Sequence, residues 1–211
     1  MKVSELLKSD KVTISVELFP PKKGSQLENY KAIVGRMAEL KPSYISCTYG
    51  ATGGTSDYTV EIADTINSYG IPAIAHLTCA SSTKEKVQSV IKELKDRKIE
   101  NILALRGDIP LGETTTCGDF QYATDLVKFV RDEFGDKFEI AVAGSPEGHI
   151  ACRSLDADIA VLKQKQDNGA DYIMTQLCWD MEQFKYWLDA IREAGITMPV
   201  DVGVMPILDM G

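Results

Sequence analysis

Short apolar runs rich in β-branched residues recur along the chain and predict seven β-strands. Most of these runs are continuously apolar rather than alternating, which is typical of parallel strands that are covered on both faces. The sequence therefore favours a parallel sheet. The runs are VTISVELF (12–19), YISCTYG (44–50), PAIAHLTC (72–79), NILALRG (101–107), FEIAVAG (138–144), YIMTQL (172–177) and VDVGVMPI (200–207).

Amphipathic segments lie between the apolar runs, with apolar residues three and four positions apart as in α-helices. They are NYKAIVGRMAEL, DYTVEIADTINSYG, TKEKVQSVIKELKDRK, ATDLVKFVRDEF, DADIAVLKQKQDNG and MEQFKYWLDAIREAG. Ser82 or Thr83 is a suitable N-cap for the third helix, whereas Gly70, Gly169 and Gly195 stand where a left-handed residue ends a helix. Strands and helices thus alternate strictly.

The carboxyl ends of the predicted strands recur every 28 to 37 residues, which is the length of one βα unit. Seven such units predict a (β/α)8 TIM barrel, an α/β fold, with a doubly wound sheet as the alternative. A complete barrel uses about 250 residues, whereas this chain of 211 residues stops just after the seventh predicted strand. We therefore expect one domain over residues 1–211, a barrel truncated after the seventh strand, with its final βα unit missing from this chain.

Composition and charge narrow the class of protein. With 44% hydrophobic and 26% charged residues, the chain has the composition of a soluble globular domain. Twenty-three Lys and Arg against 31 Asp and Glu give a net charge of -8, which disfavours nucleic acid and anionic lipid as partners. Five scattered cysteines without a C-x-x-C pair, no signal-peptide pattern and no long apolar run predict a cytoplasmic protein without a membrane segment.

Glu17 interrupts the first apolar run just before Pro20 and Pro21, which end the strand because proline supplies no ladder donor. At the carboxyl end of a barrel strand, desolvation raises the proton affinity of a carboxylate and suits it to general acid catalysis. The alternative is a structural ion pair with a lysine such as Lys22.

Polar residues at the ends of later strands are candidates for ligand binding. In LRGDIP, Arg106 can clamp a phosphate or carboxylate, and Gly107 lets the backbone approach a ligand, although a salt-bridged turn has the same composition. His76 and His149 either bind a ring or phosphate group of a cofactor or are hydrogen-bonded rim residues. His76-x-x-Cys79 supplies only two of the four ligands typical of zinc, so no metal is expected.

Three further features have open alternatives. The Gly- and Thr-rich loop CTYGATGGTSDYT, which contains Thr48, can contact a ligand but matches no nucleotide-binding motif. Asp158 and Lys165 lie seven residues apart on one face of a predicted helix, where a solvated charged face is the default interpretation. Gln176 ends an apolar strand, and its amide suits either recognition of a heterocycle or a hydrogen-bonded core position.

The order of motifs along the whole chain resembles the methylenetetrahydrofolate reductase family. The motifs are SVELFPPK, ISCTYGA, AHLTC, ILALRGDIP, SPEGH, DADIAVLKQKQDNGADYIMTQLCWD and VGVMPI. The resemblance implies an oxidoreductase of one-carbon metabolism and methionine biosynthesis, a flavoprotein that reduces 5,10-methylenetetrahydrofolate to 5-methyltetrahydrofolate through FAD. It also implies NAD(P)H or an electron-donating partner subunit as donor, and assembly as a homo-oligomer or hetero-complex.

The resemblance assigns roles to individual residues. It implies that Glu17 is the general acid that protonates folate N10, that Asp108 lies near the flavin and stabilises the cationic intermediate, and that Gln176 contacts the pterin. Residues that resemble FAD-binding positions of the family are Thr48, His76, Arg106, Gly107, Asp108, Tyr122, Ala123, His149, Asp158 and Lys165.

Two departures from the family pattern bear on binding. Ser145 stands where many relatives have a tyrosine that contacts the flavin, and LCWD (177–180) replaces a stretch richer in phenylalanine. A catalytically incomplete flavin- or folate-binding barrel, acting as a subunit of a larger complex, is therefore the alternative function. A pterin-dependent methyltransferase on the same fold is a third, but it does not explain the set of FAD-type residues.

Overall fold

Seven parallel strands form a single curled sheet in the computed structural model, which describes residues 1–19, 27–49, 56–109, 116 and 118–205. The strands follow one another across the sheet in chain order, from β1 to β7. Their bounds are β1 Ser15–Leu18, β2 Tyr44–Cys47, β3 Ala73–Thr78, β4 Asn101–Leu105, β5 Glu139–Gly144, β6 Tyr172–Thr175 and β7 Val200–Asp201.

This strand order confirms the barrel and excludes the doubly wound alternative. A doubly wound sheet reverses its strand order at a switch point, whereas here every strand pairs in parallel with its neighbour in sequence. Within the described residues, β1 pairs only with β2 and β7 only with β6. The described residues thus form the curled sheet of a TIM barrel, with β1 and β7 at its two edges.

The six predicted helices are confirmed as connections between consecutive strands. They are α2 Leu27–Glu39, α3 Ser56–Ser68, α4 Lys84–Asp96, α5 Ala123–Phe134, α6 Leu155–Asp167 and α7 Met181–Glu193. The Thr83 side chain caps α4 by accepting a hydrogen bond from the backbone N–H of Lys86. Gly70, Gly169 and Gly195 have the positive φ angles of 76°, 103° and 75° expected where these helices end.

Alternation of side chains along the strands divides the core into an outer and an inner part. The outer core fills the space between sheet and helices, where Trp187 of α7 packs on Phe184 and beside Gly144 of β5. The inner core lies on the concave face of the sheet. Its buried members are Val3, Tyr44, Ile74, Leu103, Ala141 and Tyr172.

A short helix that the periodicity does not predict, α1 Val3–Leu7, packs on the amino-terminal end of this inner core. The side chain of Asn101, the first residue of β4, anchors it by accepting from the backbone N–H of Val3 and donating to the carbonyl of Met1. Helix α1 therefore covers the end of the barrel opposite to the carboxyl ends of the strands.

The two outermost strands are shorter than predicted. Strand β1 begins at Ser15 rather than residue 12, and Val12 and Ile14 are 89% and 69% exposed. Strand β7 comprises Val200–Asp201, while residues 206 and 207 of its predicted range lie outside the described residues. Among the described residues both strands are paired on one side only, so each has a single neighbouring strand to stabilise its ends.

Candidate active site at the carboxyl ends of the strands

Strand register places three polar side chains together on the inner face. Glu17 of β1 lies opposite Ser46 of β2, and Ser46 lies opposite Ile74 of β3. His76 follows Ile74 by two residues, so it projects from the same face one step nearer the carboxyl end. The first three strands thus bring Glu17, Ser46 and His76 into one group.

The Glu17 carboxylate is the centre of this group. Ser46 Oγ donates a long hydrogen bond of 3.5 Å to Glu17 Oε2, and His76 Nε2 lies 3.6 Å from the same oxygen. Ser46 and His76 are buried, whereas the Glu17 side chain remains 45% exposed. The carboxylate is therefore accessible from the concave side of the sheet although its two neighbours are enclosed.

Burial shifts the proton affinities of Glu17 and His76 in opposite directions. Desolvation raises the pKa of Glu17, with a smaller contribution from the charge of Asp201 on β7, while the Ser46 hydrogen bond opposes the rise. Desolvation lowers the pKa of His76 to about 4. At neutral pH the imidazole is therefore uncharged. The Glu17 carboxyl binds a proton more tightly than an ordinary glutamate does.

A second group of predicted residues lies at the ends of β3 and β4. The backbone carbonyl of Arg106 accepts hydrogen bonds from the N–H groups of Cys79 and Ala80. Gly107 has φ 80°, and a Cβ atom there would lie 2.8 Å from Thr78 Cβ. The close approach of the segment after β4 to the end of β3 accordingly requires glycine at position 107.

Helix α5 joins this second group through its first residues. The Tyr122 carbonyl accepts a hydrogen bond from Cys79 Sγ, and Asp125 accepts one from the Tyr122 backbone N–H. The Tyr122 side chain is exposed, and Ala123 is the buried first residue of α5. Tyr122 and Ala123 therefore lie next to the carboxyl end of β3.

A third group surrounds the carboxyl end of β5. The carboxylate of Asp158 accepts from the His149 backbone N–H and from Cys152 Sγ. Lys165 Nζ donates to the carbonyl of Ala143 over 2.9 Å. Desolvation lowers the pKa of Lys165, although the nearby charge of Asp158 opposes the shift. A cavity of about 340 Å³ adjoins this group and is lined in part by His149, Cys152 and Gln183.

The remaining predicted site residues also lie beyond strand ends. Thr48 follows β2, and its carbonyl accepts from Thr59 Oγ1. Asp108 follows β4 and is exposed, and Gln176 follows β6 with its backbone N–H donating to the carbonyl of Gly144.

Lys22 and residues 50–55 of the Gly- and Thr-rich loop lie outside the described residues. Within the part of the chain that is described, no three His, Cys, Asp or Glu side chains form a candidate metal site.

Ser46, Cys152 and Asp201 contribute to the site although the motifs did not single them out. The sequence YISCTYG could have indicated Ser46, because Ser46 stands two residues before Thr48 and alternation along a strand places both side chains on the same face. Asp201 lies in the seventh apolar run, as Glu17 lies in the first. A carboxylate within a predicted strand could therefore have indicated Asp201 as a site residue.

The fold and these groups define an α/β-barrel protein whose polar side chains gather at the carboxyl ends of its strands, the location of active sites in such barrels. The chain matches the family model for methylenetetrahydrofolate reductase over residues 2–211. It therefore belongs to the methylenetetrahydrofolate reductase family, as the order of its motifs predicted.

Two relatives are considerably longer than this chain. "Methylenetetrahydrofolate reductase 1" of Schizosaccharomyces pombe is 39% identical over 98% of this chain and 36% of its own length. "Probable methylenetetrahydrofolate reductase (NADH)" of Oryza sativa subsp. japonica is also 39% identical, over 98% of this chain and 37% of its own length. The chain thus spans little more than a third of either relative.

Solved structures support the fold. An uncharacterized protein from Clostridium thermocellum, described as binding two copies of 5-methyl-5,6,7,8-tetrahydrofolic acid, superimposes with a TM-score of 0.68. The match covers 96% of this chain and 69% of that protein at 15% identity, a level that supports the barrel architecture alone. None of the helices among the described residues combines the length and apolar character needed to span a bilayer.

Proposed function

We propose that this chain is the catalytic barrel of a flavin-dependent methylenetetrahydrofolate reductase that forms 5-methyltetrahydrofolate. The observation that carries the proposal is the Glu17 carboxyl, accessible from the concave face, hydrogen-bonded by Ser46 and with His76 Nε2 3.6 Å away. A carboxyl with raised proton affinity at the carboxyl end of a barrel strand suits general acid catalysis. Membership of the family supplies the reaction class.

In the proposed reaction Glu17 acts on the folate nitrogen N10. The protonated carboxyl transfers its proton to N10, and the bond between N10 and the methylene carbon breaks with its electron pair remaining on N10. The methylene carbon is left as an iminium with N5, and Glu17 becomes a carboxylate. Asp108 contributes negative charge that favours the cation, and Gln176 uses its amide to orient the pterin.

The residues at the rim suit FAD. Arg106 and Lys165 provide two cations for its diphosphate, and the positive φ of Gly107 permits backbone to approach a ligand. We assign further contacts to Thr48, His76, Tyr122, Ala123, His149 and Asp158. Bound reduced flavin would supply the hydride for the methylene carbon, and NAD(P)H or a partner subunit would renew it. The NADH named for the Oryza sativa relative supports a nicotinamide donor.

The open edge of the barrel supports a second candidate, a flavin- or folate-binding subunit of a larger complex. In the described part of the chain, β1 and β7 each leave one side unpaired, which favours association with further polypeptide. A homo-oligomer or a hetero-complex would provide hydrogen-bond partners for the unpaired sides of β1 and β7. A cytoplasmic location and a single flavin-binding domain over residues 1–211 remain predictions of the sequence.

Titration of the purified complete native polypeptide with FAD tests the proposal. We expect the absorbance bands of bound oxidised flavin, followed by their bleaching with NAD(P)H and their return on mixing with methylenetetrahydrofolate under anaerobic conditions. Flavin binding with no return of the bands would favour the second candidate. Protein that takes up no FAD even after reconstitution would refute the flavin assignment.

A further inference from the structure

Two polar side chains lie beside the Glu17 carboxyl, although proton transfer to a substrate requires only the carboxyl itself. Two enclosed polar groups, Ser46 Oγ and His76 Nε2, approach the same oxygen, Glu17 Oε2, from two neighbouring strands. Ser46 is 2% exposed and His76 5% exposed, so neither has ready access to water. Both hydrogen-bonding groups are therefore directed toward Glu17 by the sheet itself.

The His76 ring nitrogen is the more informative of the two groups. Nε2 is buried and has no hydrogen-bond partner among the described residues, which is a costly state for a polar atom. Glu17 Oε2 lies 3.6 Å away, only slightly beyond hydrogen-bond distance, so a small rotation of the partly exposed carboxyl brings the two into contact. This movement would satisfy Nε2 and fix the carboxyl at once.

From this geometry we infer that Ser46 and His76 form a pair of positioning residues that hold the Glu17 carboxyl for proton transfer and set its proton affinity. The inference rests on the proposed function of Glu17 and adds a role to His76 Nε2 besides any contact of that residue with flavin. A neutral imidazole suits this role. As the Nε2–H tautomer it donates to the carboxylate and favours the ionised form, so loss of the imidazole should raise the pKa of Glu17.

Other charged groups near Glu17 determine the direction of the expected effects. Asp201 faces it from β7 and favours protonation, while Cys47 on β2 titrates well above neutral pH, because burial raises the pKa of its thiol to about 12. Ser46 is the group whose hydrogen bond favours the carboxylate. Loss of its hydroxyl should thus raise the pKa of Glu17, and a general acid with a higher pKa remains protonated to higher pH.

The test uses Ser46→Ala, His76→Leu and His76→Gln in the complete native polypeptide, with Ser43→Ala as a matched control. The Ser43 hydroxyl accepts from Ile14 N–H at the other end of β2. Carboxyl-selective NMR, with the Glu17 signal assigned by its loss in Glu17→Gln, follows the titration of this group without flavin or folate. We expect the Glu17 pKa to rise in Ser46→Ala and His76→Leu and to be unchanged in Ser43→Ala.

Stopped-flow kinetics supply the second measurement. In Ser46→Ala and His76→Leu the folate half-reaction should slow by about tenfold, part of the factor of 10²–10⁴ typical of a general acid. The pH above which it declines should move upward in both. His76→Gln, which keeps a neutral hydrogen-bonding group, should restore most of the rate. Flavin content and reduction by NAD(P)H provide the control for flavin binding.

Two results would overturn the inference. One is a Glu17 pKa that is the same in wild type, Ser46→Ala and His76→Leu, each shown to be folded by its thermal transition. The other is equal impairment in His76→Leu and His76→Gln, because it would mean that the hydrogen-bonding group is irrelevant. A shift in the Glu17 pKa without any folate reduction would instead support the positioning pair and refute the proposed reaction.

Discussion

His76 Nε2 lies 3.6 Å from Glu17 Oε2, and the histidine is enclosed while the glutamate side chain is 45% exposed. This difference determines which of the two groups carries a proton. The buried imidazole has a pKa lowered to about 4, whereas desolvation raises the pKa of Glu17. Within the pair, a proton is therefore held more tightly by Glu17, the more exposed of the two side chains.

Glu17→Gln separates proton transfer from binding. The amide keeps the size of the side chain, so the variant should bind FAD and accept electrons from NAD(P)H at the wild-type rate. Reoxidation by methylenetetrahydrofolate should slow by about 100-fold or more, the scale for loss of a general acid. Stopped-flow measurement of both half-reactions tests this. Near-normal reoxidation in a folded variant would eliminate Glu17 as the acid, and equal slowing of both steps would favour a structural role.

His76 should make stability depend on pH in the acid range. The folded protein holds this histidine at a pKa of about 4 against an ordinary value of 6.5, so the unfolded chain binds the proton more tightly. The contribution is fully present above pH 6.5 and is lost as pH falls toward 4, with a total on the order of 3 kcal/mol. In His76→Gln, the free energy of unfolding should fall less steeply over this range.

Urea denaturation at several pH values measures this difference. His149→Gln is the matched control, because His149 is the other histidine of the chain and is exposed. It should keep the wild-type pH dependence. A His76→Gln variant with the same pH dependence as wild type would show that burial of His76 does not control the acid response.

Gly107→Ala should destabilise the protein more than Gly70→Ala. Both glycines have a similar positive φ, 80° and 76°, and thus a similar backbone cost of about 1–2 kcal/mol for a residue with a Cβ. Only at Gly107 would the new Cβ collide with Thr78, at 2.8 Å, whereas Gly70 has nothing within 4 Å. Overpacking adds about 1–3 kcal/mol.

Free energies of unfolding for the two variants give the steric cost as a difference. Because the collision lies between the last residue of β3 and the segment that follows β4, Gly107→Ala should also weaken FAD binding, whereas Gly70→Ala should not. Equal destabilisation by the two substitutions would show that the segment after β4 moves away from Thr78 and that the close approach at Gly107 is not required.

The sequence predicted the repeating parts of this fold better than its edges. Six helices and seven strands followed from periodicity, because each unit buries an apolar face against the next, whereas the order of the strands in the sheet was left between a barrel and a doubly wound sheet. The pattern did not reveal α1, since five residues carry too little periodicity and Val3 is buried only through contact with distant strands. The start predicted for β1 was too early because Val12 and Ile14 are exposed and bury no apolar surface against the sheet, although Ile14 is hydrogen-bonded to Ser43 just before β2.

The candidate site was predictable one residue at a time but not as a set of contacts. Glu17 and His76 were each singled out at strand ends, yet their proximity depends on the register of three strands, which the sequence does not specify. Ser46 was overlooked because a small hydroxyl in an apolar strand has an ordinary explanation as a core residue. Its importance becomes clear only from the carboxylate opposite it.

Lys165→Met should weaken FAD binding, whereas Lys163→Met should leave it unchanged. Lys165 Nζ reaches the Ala143 carbonyl at the end of β5, and methionine keeps most of the aliphatic stem while removing the charge. Loss of a hydrogen bond to a charged ligand costs about 1.5–3 kcal/mol, which corresponds to a rise in Kd of roughly 10- to 100-fold. Lys163 pairs with Asp167 at the helix surface, where ion pairs contribute little.

The pH dependence of the same titration identifies the charge as the cause. Desolvation lowers the pKa of Lys165, so its cation is lost at a lower pH than that of an ordinary lysine. Wild-type affinity for FAD should therefore fall as pH rises through that lowered pKa, while the affinity of Lys165→Met should not show this fall. Fluorescence titration with FAD between about pH 7 and about pH 10 covers the pH range from the ordinary pKa of a lysine downward. Equal affinities of the two lysine variants at neutral pH would remove Lys165 from the flavin site and leave it a buried structural donor to β5.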